Sequence, residues 1–489
     1  MAAETRPSPA TPGTILPAIW MSSAGRGPLG RELTDVELWY LAHPTGACLE
    51  VFVDSALRGR ISTRTAGPGG PAAPHAPPRP AARPGRTPLS RILRFDLDEP
   101  PRARRAPSRA PRRARRYFEA RRVRLRPGKH RIELRAVGTG TVRLFGAVLR
   151  RDRPGVVLHT LGVPGAQVAN VAPGHKGLLR AQLARLRPTL LITLLGTNDA
   201  YDHRLTAKAL ETRLTTVLRE LRGGDTRPDC LLVGTPDFSD KHWRKARRLR
   251  QKAAMTRRIQ RKVAAAQGCA YWDLYAAMGG AGSIQRLIRA HPPLAYGDRI
   301  HLTRRGYRAL GGLLYDALMA EYARYLAARP LLKVSLPTRP VKERREERDA
   351  RRRWPTGMGP VPLVDPKGTA LHRFFRALVL LARKGPRARA RIVFVGDSHV
   401  AGDQLSGELR FRLQRSFGDA GHGYLHAGAP WTGYNHRNVR GGATGPWHYY
   451  YLRTARQPDQ PSDRLFGLGG VSTWITLPLP PAPPAGTLP

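Results

Sequence analysis

A serine, a histidine and an aspartate in this sequence have the types and local spacing that acyl transfer requires. Ser398 follows the apolar run RIVFVGD, so we expect it at the carboxyl end of a strand, where parallel sheets place ligands. Asp298 and His301 lie three residues apart, and this spacing lets the carboxylate accept a hydrogen bond from one imidazole nitrogen. The other nitrogen is then free to deprotonate a hydroxyl.

Each of these short patterns also has a purely structural interpretation. A Gly-Asp-Ser sequence is an ordinary strand-to-turn signal, and an isolated Asp-x-x-His is a common helix-capping turn. A catalytic interpretation is therefore favoured only if several such patterns occur together in suitable structural contexts.

Two further stretches could bind the negative charge that develops when a serine attacks an ester. Gly165 in TLGVPGAQ follows the apolar run VVLHTLG, and Asn198 in LLGTNDAY follows the apolar run TLLITLLG. A side-chain amide at the end of a strand can donate a hydrogen bond to an oxyanion. The structural alternative is a turn, because asparagine and aspartate are natural loop residues.

The elements that would position these residues alternate between strands and helices from residue 155 to about 328. Apolar runs of strand length are separated by amphipathic segments with leucine on one face. This alternation predicts a parallel sheet that is covered by helices on both faces. The run RIVFV is apolar on both faces of a strand, so we predict that strand 391–396 lies centrally in that sheet.

Residues 30–151 have a different pattern. Short runs rich in valine, leucine and aromatic residues alternate apolar and polar side chains and are separated by turn formers, which predicts an all-β domain. Two Pro/Arg-rich stretches, 67–88 and 100–116, interrupt this pattern and are predicted to be mobile loops, because they cannot pack a core.

Together, the four chemical stretches resemble the SGNH/GDSL hydrolase family. GDSH matches the first sequence block of that family, the glycine of GVPGA the second, GTND the third and DRIHLTRRG the fifth. The resemblance implies a flavodoxin-like three-layer α/β fold with Ser398 as nucleophile, His301 as general base and Asp298 as its orienting partner. It also implies that the backbone N–H groups of Ser398 and Gly165 and the side chain of Asn198 form the oxyanion hole.

The resemblance extends to a branch of the family with an inserted, jelly-roll-like β-sandwich, which includes peptidoglycan and polysaccharide O-acetylesterases. The order of the blocks differs here, because the first block follows the fifth. One interpretation is a circular permutation, in which the C-terminal strand completes the sheet begun by the N-terminal half. The other is a slice of a tandem array, in which FGLGGVSTWITLPL begins another sandwich.

The expected organisation has four parts. They are a carbohydrate-binding-like β-sandwich at 30–151, a hydrolase domain with the second, third and fifth blocks at 152–328, a charged Pro/Gly-rich linker at 329–370, and a first-block segment with the start of a second β-sandwich at 371–489. Three cysteines at wide spacing indicate neither a disulfide framework nor a zinc site, and we expect Cys230 and Cys269 to be small buried core residues.

The formal net charge of +49 has two explanations. Arginine can neutralise the phosphates of a polyanion, or the excess can reflect compositional bias. The charge is spread along the whole chain, and the sequence has no zinc spacing, RNA-binding aromatic signature or helix-turn-helix. We therefore expect no specific nucleic-acid partner and only weak, salt-sensitive binding of DNA.

The function that these patterns predict is a serine esterase that hydrolyses acyl esters, O-acetyl esters above all, on carbohydrate or cell-wall polymer. No metal or organic cofactor is expected, since serine acyl transfer needs none. The alternatives are a catalytically incomplete carbohydrate-binding fragment of a tandem SGNH protein and, third, an arginine-rich nucleic-acid binder. No run reaches the roughly 18–20 apolar residues of a membrane span. The resemblance implies an extracytoplasmic location, although no signal peptide is visible.

Overall fold

The computed structural model describes residues 16–23, 32–65, 93–96, 117–171, 176–223, 227–337, 349–452, 463 and 465–478. The Pro/Arg-rich stretches at 67–88 and 100–116, which we predicted to be mobile loops, lie outside these residues.

The described chain forms two β-sheets of a sandwich and one α/β sheet. The strands are β1 (Ala18–Ser23), β2 (Leu33–Ala42), β3 (Cys48–Val53), β4 (Ala56–Ser62), β5 (Leu93–Asp96), β6 (Tyr117–Gly128), β7 (Arg131–Val137), β8 (Gly140–Arg150), β9 (Gly155–Gly162), β10 (Leu190–Leu194), β11 (Asp229–Val233), β12 (Ala270–Trp272), β13 (Leu363–Val364), β14 (Arg389–Gly396), β15 (Gly423–Leu425), β16 (Val439–Thr444), β17 (His448–Tyr451) and β18 (Val471–Leu477). The α-helices are α1 (Val168–Val171), α2 (Lys176–Leu186), α3 (Ala207–Arg222), α4 (Trp243–Ala266), α5 (Leu274–Ala277), α6 (Ser283–Arg289), α7 (Arg304–Ala327), α8 (His372–Ala382), α9 (Ser398–Ala401) and α10 (Leu405–Phe417).

The α/β sheet has the strand order β13-β12-β11-β10-β14-β9. Strand β14 pairs in parallel with β9 on one side and with β10 on the other, so that Val393 lies between His159 and Leu191. The predicted insertion of this strand within the sheet is confirmed, and β14 is an interior strand next to the edge strand β9. Ile392 and Phe394 pack into one hydrophobic core and Val393 and Val395 into the other, which explains why the run is apolar on both faces.

Helices cover both faces of this sheet. The core on one face includes apolar side chains of α7, α8 and α10, and the core on the other face includes those of α2, α3 and α4. In α3, for example, Leu210, Leu214 and Leu218 recur at helical spacing and are buried. The result is a three-layer α/β domain, as the alternation of strands and helices predicts.

The β-sandwich consists of a sheet with the order β16-β1-β7-β3-β4 and a sheet with the order β17-β18-β8-β2-β6-β5, while β15 pairs with β8. The two sheets share one apolar core. The expectation that the chain after 371 starts a second sandwich is therefore wrong. Strands β16, β17 and β18 join the sandwich formed by the N-terminal half, because β16 pairs with β1, β18 pairs with β8, and β17 pairs with β18.

Two predicted boundaries also change. Strand β1 pairs with β7, so the sandwich includes residues before 30. Part of the predicted linker at 329–370 belongs to the α/β domain, since Leu363 of β13 pairs with Trp272 of β12. The Trp272 indole donates a hydrogen bond to the Val361 carbonyl at 3.1 Å, which fixes this segment against the sheet edge.

Cys230 and Cys269 form a disulfide bond, which corrects the expectation of unpaired core cysteines. Strands β11 and β12 are parallel neighbours, with Leu231 opposite Ala270. The two cysteines directly precede this pair, and their Cα atoms are 4.8 Å apart. Adjacent strands are separated by a distance that suits a disulfide, but the pairing depends on a strand register that cysteine spacing does not reveal.

Candidate active site

Ser398 is the first residue of α9, directly after the interior strand β14. The side chain of Asp397 caps this helix by accepting a hydrogen bond from the backbone N–H of His399 at 3.0 Å. The turn packs so closely on the end of β9 that a Cβ atom at Gly162 would lie 2.2 Å from the Ala401 nitrogen. The buried sheet and this glycine contact thus hold the serine at the carboxyl edge of the sheet.

His301 lies within hydrogen-bonding distance of Ser398. Its Nε2 atom is 2.9 Å from the serine Oγ, and its Nδ1 atom is 2.7 Å from Oδ2 of Asp298. The other oxygen of Asp298 accepts the backbone N–H groups of Ile300 and His301, both at 2.9 Å. The three residues that the sequence singled out as a triad are therefore brought together in a continuous chain of contacts.

Asp298 keeps its negative charge well into the acidic range. Partial burial acts to raise its pKa, but hydrogen bonds from the backbone N–H groups of Ile300 and His301 and from the imidazole outweigh that effect and lower it. An ionised carboxylate at Nδ1 favours the tautomer in which Nε2 accepts a proton, and it stabilises the imidazolium that forms.

Gly165 and Asn198 lie in neighbouring loops at the same edge of the sheet. Gly165 has a φ angle of +75°, a conformation that glycine adopts readily. The amide of Asn198 donates a hydrogen bond to the Ala166 carbonyl at 3.0 Å, and the side chain of Gln167 donates to the Asn198 carbonyl at 3.2 Å. One amide hydrogen of Asn198 thus ties the two loops together, and the amide carries a second hydrogen.

Residues 132–309 match the family model for the GDSL-like lipase/acylhydrolase family. The matched span contains Gly165, Asn198, Asp298 and His301. This chain therefore contains a GDSL-like lipase/acylhydrolase domain. It is accordingly a serine esterase. Ser398 itself lies outside the matched span, and strand β14, which follows that span in sequence, brings it next to His301.

Three solved structures are similar to parts of the hydrolase. A peptidoglycan O-acetylesterase is 15% identical, with 61% of this chain and 75% of that chain covered and a TM-score of 0.34. A lipase/acylhydrolase from Enterococcus faecalis is 18% identical, with coverage of 32% and 92% and a TM-score of 0.24. An active-site mutant of a family two carbohydrate esterase from Clostridium thermocellum is 9% identical, with coverage of 54% and 83% and a TM-score of 0.19.

All three TM-scores lie below 0.5, so the family match identifies the hydrolase and these structures add no weight to it. The search of curated proteins found no match.

His399 and Tyr307 are in contact with each other beside His301 and Ser398, and sequence patterns did not reveal this pair. The Tyr307 hydroxyl is 3.0 Å from Nδ1 of His399, and the centres of the His399 and His301 rings are 5.6 Å apart. Burial, together with the nearby His301, lowers the pKa of His399 to about 3. His399 is therefore neutral and packs beside His301 without adding a positive charge. The one available signal was its position directly after the serine.

The GTND turn is fixed from the side of α4. Gly196 has a φ angle of +116°, and a Cβ atom there would lie 2.4 Å from the Thr235 hydroxyl. Gln260 of α4 donates a hydrogen bond to the Leu195 carbonyl at 2.6 Å and accepts one from the Thr235 N–H at 3.0 Å. The loop that carries Asn198 is thus braced by a buried glutamine.

Within the described ranges, no group of three or more histidine, cysteine or carboxylate side chains is arranged to hold a metal ion. A search of the same residues for a helix of sufficient length and hydropathy to cross a membrane found none.

Proposed function

We propose that this hydrolase cleaves acyl esters, O-acetyl esters in particular, on carbohydrate polymers, and that Ser398, His301 and Asp298 are its catalytic triad. The observation that carries the proposal is the 2.9 Å contact between the Ser398 Oγ and the His301 Nε2. A serine hydroxyl is a poor nucleophile unless a base takes its proton, and this contact provides such a base.

In the acylation step, Nε2 of His301 accepts the hydroxyl proton while Oγ of Ser398 bonds to the ester carbonyl carbon. The carbonyl oxygen becomes an oxyanion, for which the N–H groups of Ser398 and Gly165 and the amide of Asn198 are the proposed donors. When the tetrahedral intermediate collapses, the bond to the sugar oxygen breaks. His301 returns its proton to that oxygen, and the sugar hydroxyl leaves.

In the deacylation step, a water molecule takes the place of the sugar. His301 removes one proton from it as the water oxygen attacks the acyl carbon of the ester on Ser398. Collapse of this second intermediate releases the carboxylic acid and returns the proton to the Ser398 oxygen. Both steps use Asp298 in the same way, because the imidazolium forms twice.

A polymeric substrate fits the openness of the site. The side chain of His301 is 36% exposed and that of Asp298 is 44% exposed, so the triad lies at the surface and an ester on a bulky chain can approach it. The peptidoglycan O-acetylesterase and the carbohydrate esterase among the similar structures are named for substrates of this class.

The test measures kcat and KM of the purified chain on 4-nitrophenyl acetate and on O-acetylated glucomannan. Ser398→Ala and His301→Ala should each reduce kcat by about 10⁴-fold or more. Ser335→Ala and His242→Ala are matched controls, because both residues are exposed and the His242 side chain makes no capping hydrogen bond. They should leave kcat within twofold of wild type.

Two results would count against the proposal. If the wild type is active and both triad variants keep full activity, another group is the nucleophile. If the folded wild type is inert on both esters, a carbohydrate-binding fragment without catalysis becomes the better description of the chain.

A further inference from the structure

Helix α4 carries the densest positive charge of a single element in the described chain. Its sequence, WRKARRLRQKAAMTRRIQRKVAAA, contains ten lysine and arginine residues and no aspartate or glutamate. The helix also has a buried apolar side, with Leu249, Ile259 and Val263 in the core. The positive side chains are therefore confined to the remaining surface and cannot disperse around the helix.

Some of these charges are neutralised by neighbouring carboxylates. Lys245, Arg261 and Lys262 form ion pairs with Asp240, Asp273 and Glu211, respectively. Four exposed arginines of α4 form no ion pair or side-chain hydrogen bond with any residue that the structure describes. We call this set the basic ridge, and its members are Arg247, Arg248, Arg250 and Arg258.

The ridge lies on the solvent face of the helix. With 3.6 residues per turn, its four arginines fall within about 160° of the helix circumference. Arg247 and Arg258 lie on nearly the same line, and the rise per residue separates them by roughly 16 Å. An extended ligand with repeated negative charges would fit this arrangement better than a single small anion.

The beginning of α4 adjoins both catalytic loops. Asp240, which pairs with Lys245, also accepts a hydrogen bond at its backbone carbonyl from the Arg299 side chain at 3.1 Å. Arg299 lies between Asp298 and His301 in the chain. The Lys245 ammonium is 5.8 Å from the ring centre of Tyr201, three residues after Asn198. The N-terminal end of α4, whose first two turns include Arg247 and Arg248, therefore lies close to both of these loops.

We propose that the basic ridge binds an anionic polysaccharide and directs its ester groups to Ser398. This inference rests on the proposed esterase function and specifies the substrate class. A row of like charges next to a site raises the local concentration of an oppositely charged substrate and its association rate. Nucleic acid is less favoured, because it carries no carboxylic ester that a serine esterase could cleave.

The experiment compares O-acetylated polygalacturonate, which carries carboxylates, with O-acetylated glucomannan, which is uncharged. The variant replaces Arg247, Arg248 and Arg250 together by glutamate. We expect its kcat/KM to fall about tenfold on the anionic polymer at low salt and to stay within twofold on glucomannan and on 4-nitrophenyl acetate. The wild-type preference for the anionic polymer should also disappear as salt rises from about 20 mM to about 500 mM.

A matched control makes the same change in net charge on the β-sandwich instead of α4. Arg58, Arg124 and Arg126 are exposed arginines of the sandwich strands β4 and β6. Their combined replacement by glutamate should leave the polymer preference unchanged. An equal loss in both triple variants would assign the effect to net charge and would overturn the ridge as a site.

Binding is measured separately from catalysis, so that a failure of the esterase proposal remains distinguishable. In a Ser398→Ala background, affinity electrophoresis in acetylated polygalacturonate should show retardation that the triple ridge variant loses. Equal retardation with and without the ridge would overturn the inference, even if the enzyme is active. Loss of duplex-DNA or anionic-vesicle binding in the ridge variant, with unchanged retardation by the polysaccharide, would also overturn it.

Discussion

Ser398 and His301 meet at 2.9 Å, yet different kinds of structure hold them there. Ser398 follows a strand that is buried on both faces and paired on both edges, and the paired residues of β9 and β10 lie more than 200 residues away in sequence. His301 lies on a partly exposed loop, and Asp298, three residues earlier, provides its orienting contacts. The proposed nucleophile therefore depends on the whole sheet, whereas the proposed base depends on local hydrogen bonds.

The largest effect should follow from placing a charge in the buried strand that holds Ser398. Val393 is fully buried in the centre of β14, and Val393→Asp would place a charge there without a partner. We expect a loss of at least about 4 kcal/mol in the free energy of unfolding, or no folding at all. Urea denaturation followed by circular dichroism measures it. Leu380→Asp, at a position that is 55% exposed, is the control and should unfold like wild type.

Removing the carboxylate that contacts His301 on the loop should abolish most activity without unfolding the protein. Asp298→Asn removes the charge that orients His301 and stabilises its imidazolium, so kcat on 4-nitrophenyl acetate should fall by about 10⁴-fold. The free energy of unfolding should change by less than about 1 kcal/mol, because the residue is 44% exposed. Asp152→Asn removes another exposed carboxylate, at the opposite end of the sheet, and should retain full activity. A stability loss as large as that of Val393→Asp would contradict the distinction.

The same distinction explains what the sequence could predict. The Asp298–His301 pair is local, and the ends of apolar runs locate Gly165, Asn198 and Ser398, so each half of the site was visible in short motifs. The parallel sheet was visible because its strands are apolar at every position. The interior place of β14 also followed from that composition.

Features that depend on distant register were not predictable. An isolated strand such as β18 alternates side chains in the same way whether it starts a new sandwich or completes an existing one, so its pairing with β8 was missed. The Cys230–Cys269 bond required the register of β11 against β12. The contact between Tyr307 and His399 joins α7 to α9 across 92 residues, and no local motif indicates it.

A smaller loss of kcat should follow from changing Asn198, whose loop follows a buried strand and is also held by local hydrogen bonds. Asn198→Ala removes one proposed donor and should lower kcat by about 10²–10³-fold, with little change in KM. Asn198→Asp keeps the shape of the side chain but replaces the donor by a negative charge, and it should lose at least as much. If both variants keep wild-type kcat on 4-nitrophenyl acetate, Asn198 does not contact the oxyanion.

The smallest expected effect concerns the buried carboxyl of Asp397, next to Ser398. Burial raises the pKa of Asp397 to about 7 from its ordinary value of 3.8. The folded protein therefore resists ionisation of this group, and wild type loses stability as the pH rises through the range between these two values. Asp397→Asn keeps an oxygen for the His399 N–H and does not ionise.

The stability advantage of Asp397→Asn over wild type should accordingly grow by about 2–3 kcal/mol between pH 5 and pH 8. Urea denaturation of both proteins at a series of pH values measures this difference. An advantage that stays constant over the range would mean that Asp397 ionises as easily in the folded protein as in the unfolded chain.

The central claim is that the distant strand β14 delivers Ser398 to His301 as an activated nucleophile. The most direct measurement is the reaction of the purified chain with a fluorophosphonate, followed by peptide mapping of the adduct by mass spectrometry. The account predicts one adduct, on Ser398, which is absent in Ser398→Ala and forms at least about 10³-fold more slowly in His301→Ala. An adduct on a different serine, or an active enzyme that is never labelled at Ser398, would contradict it.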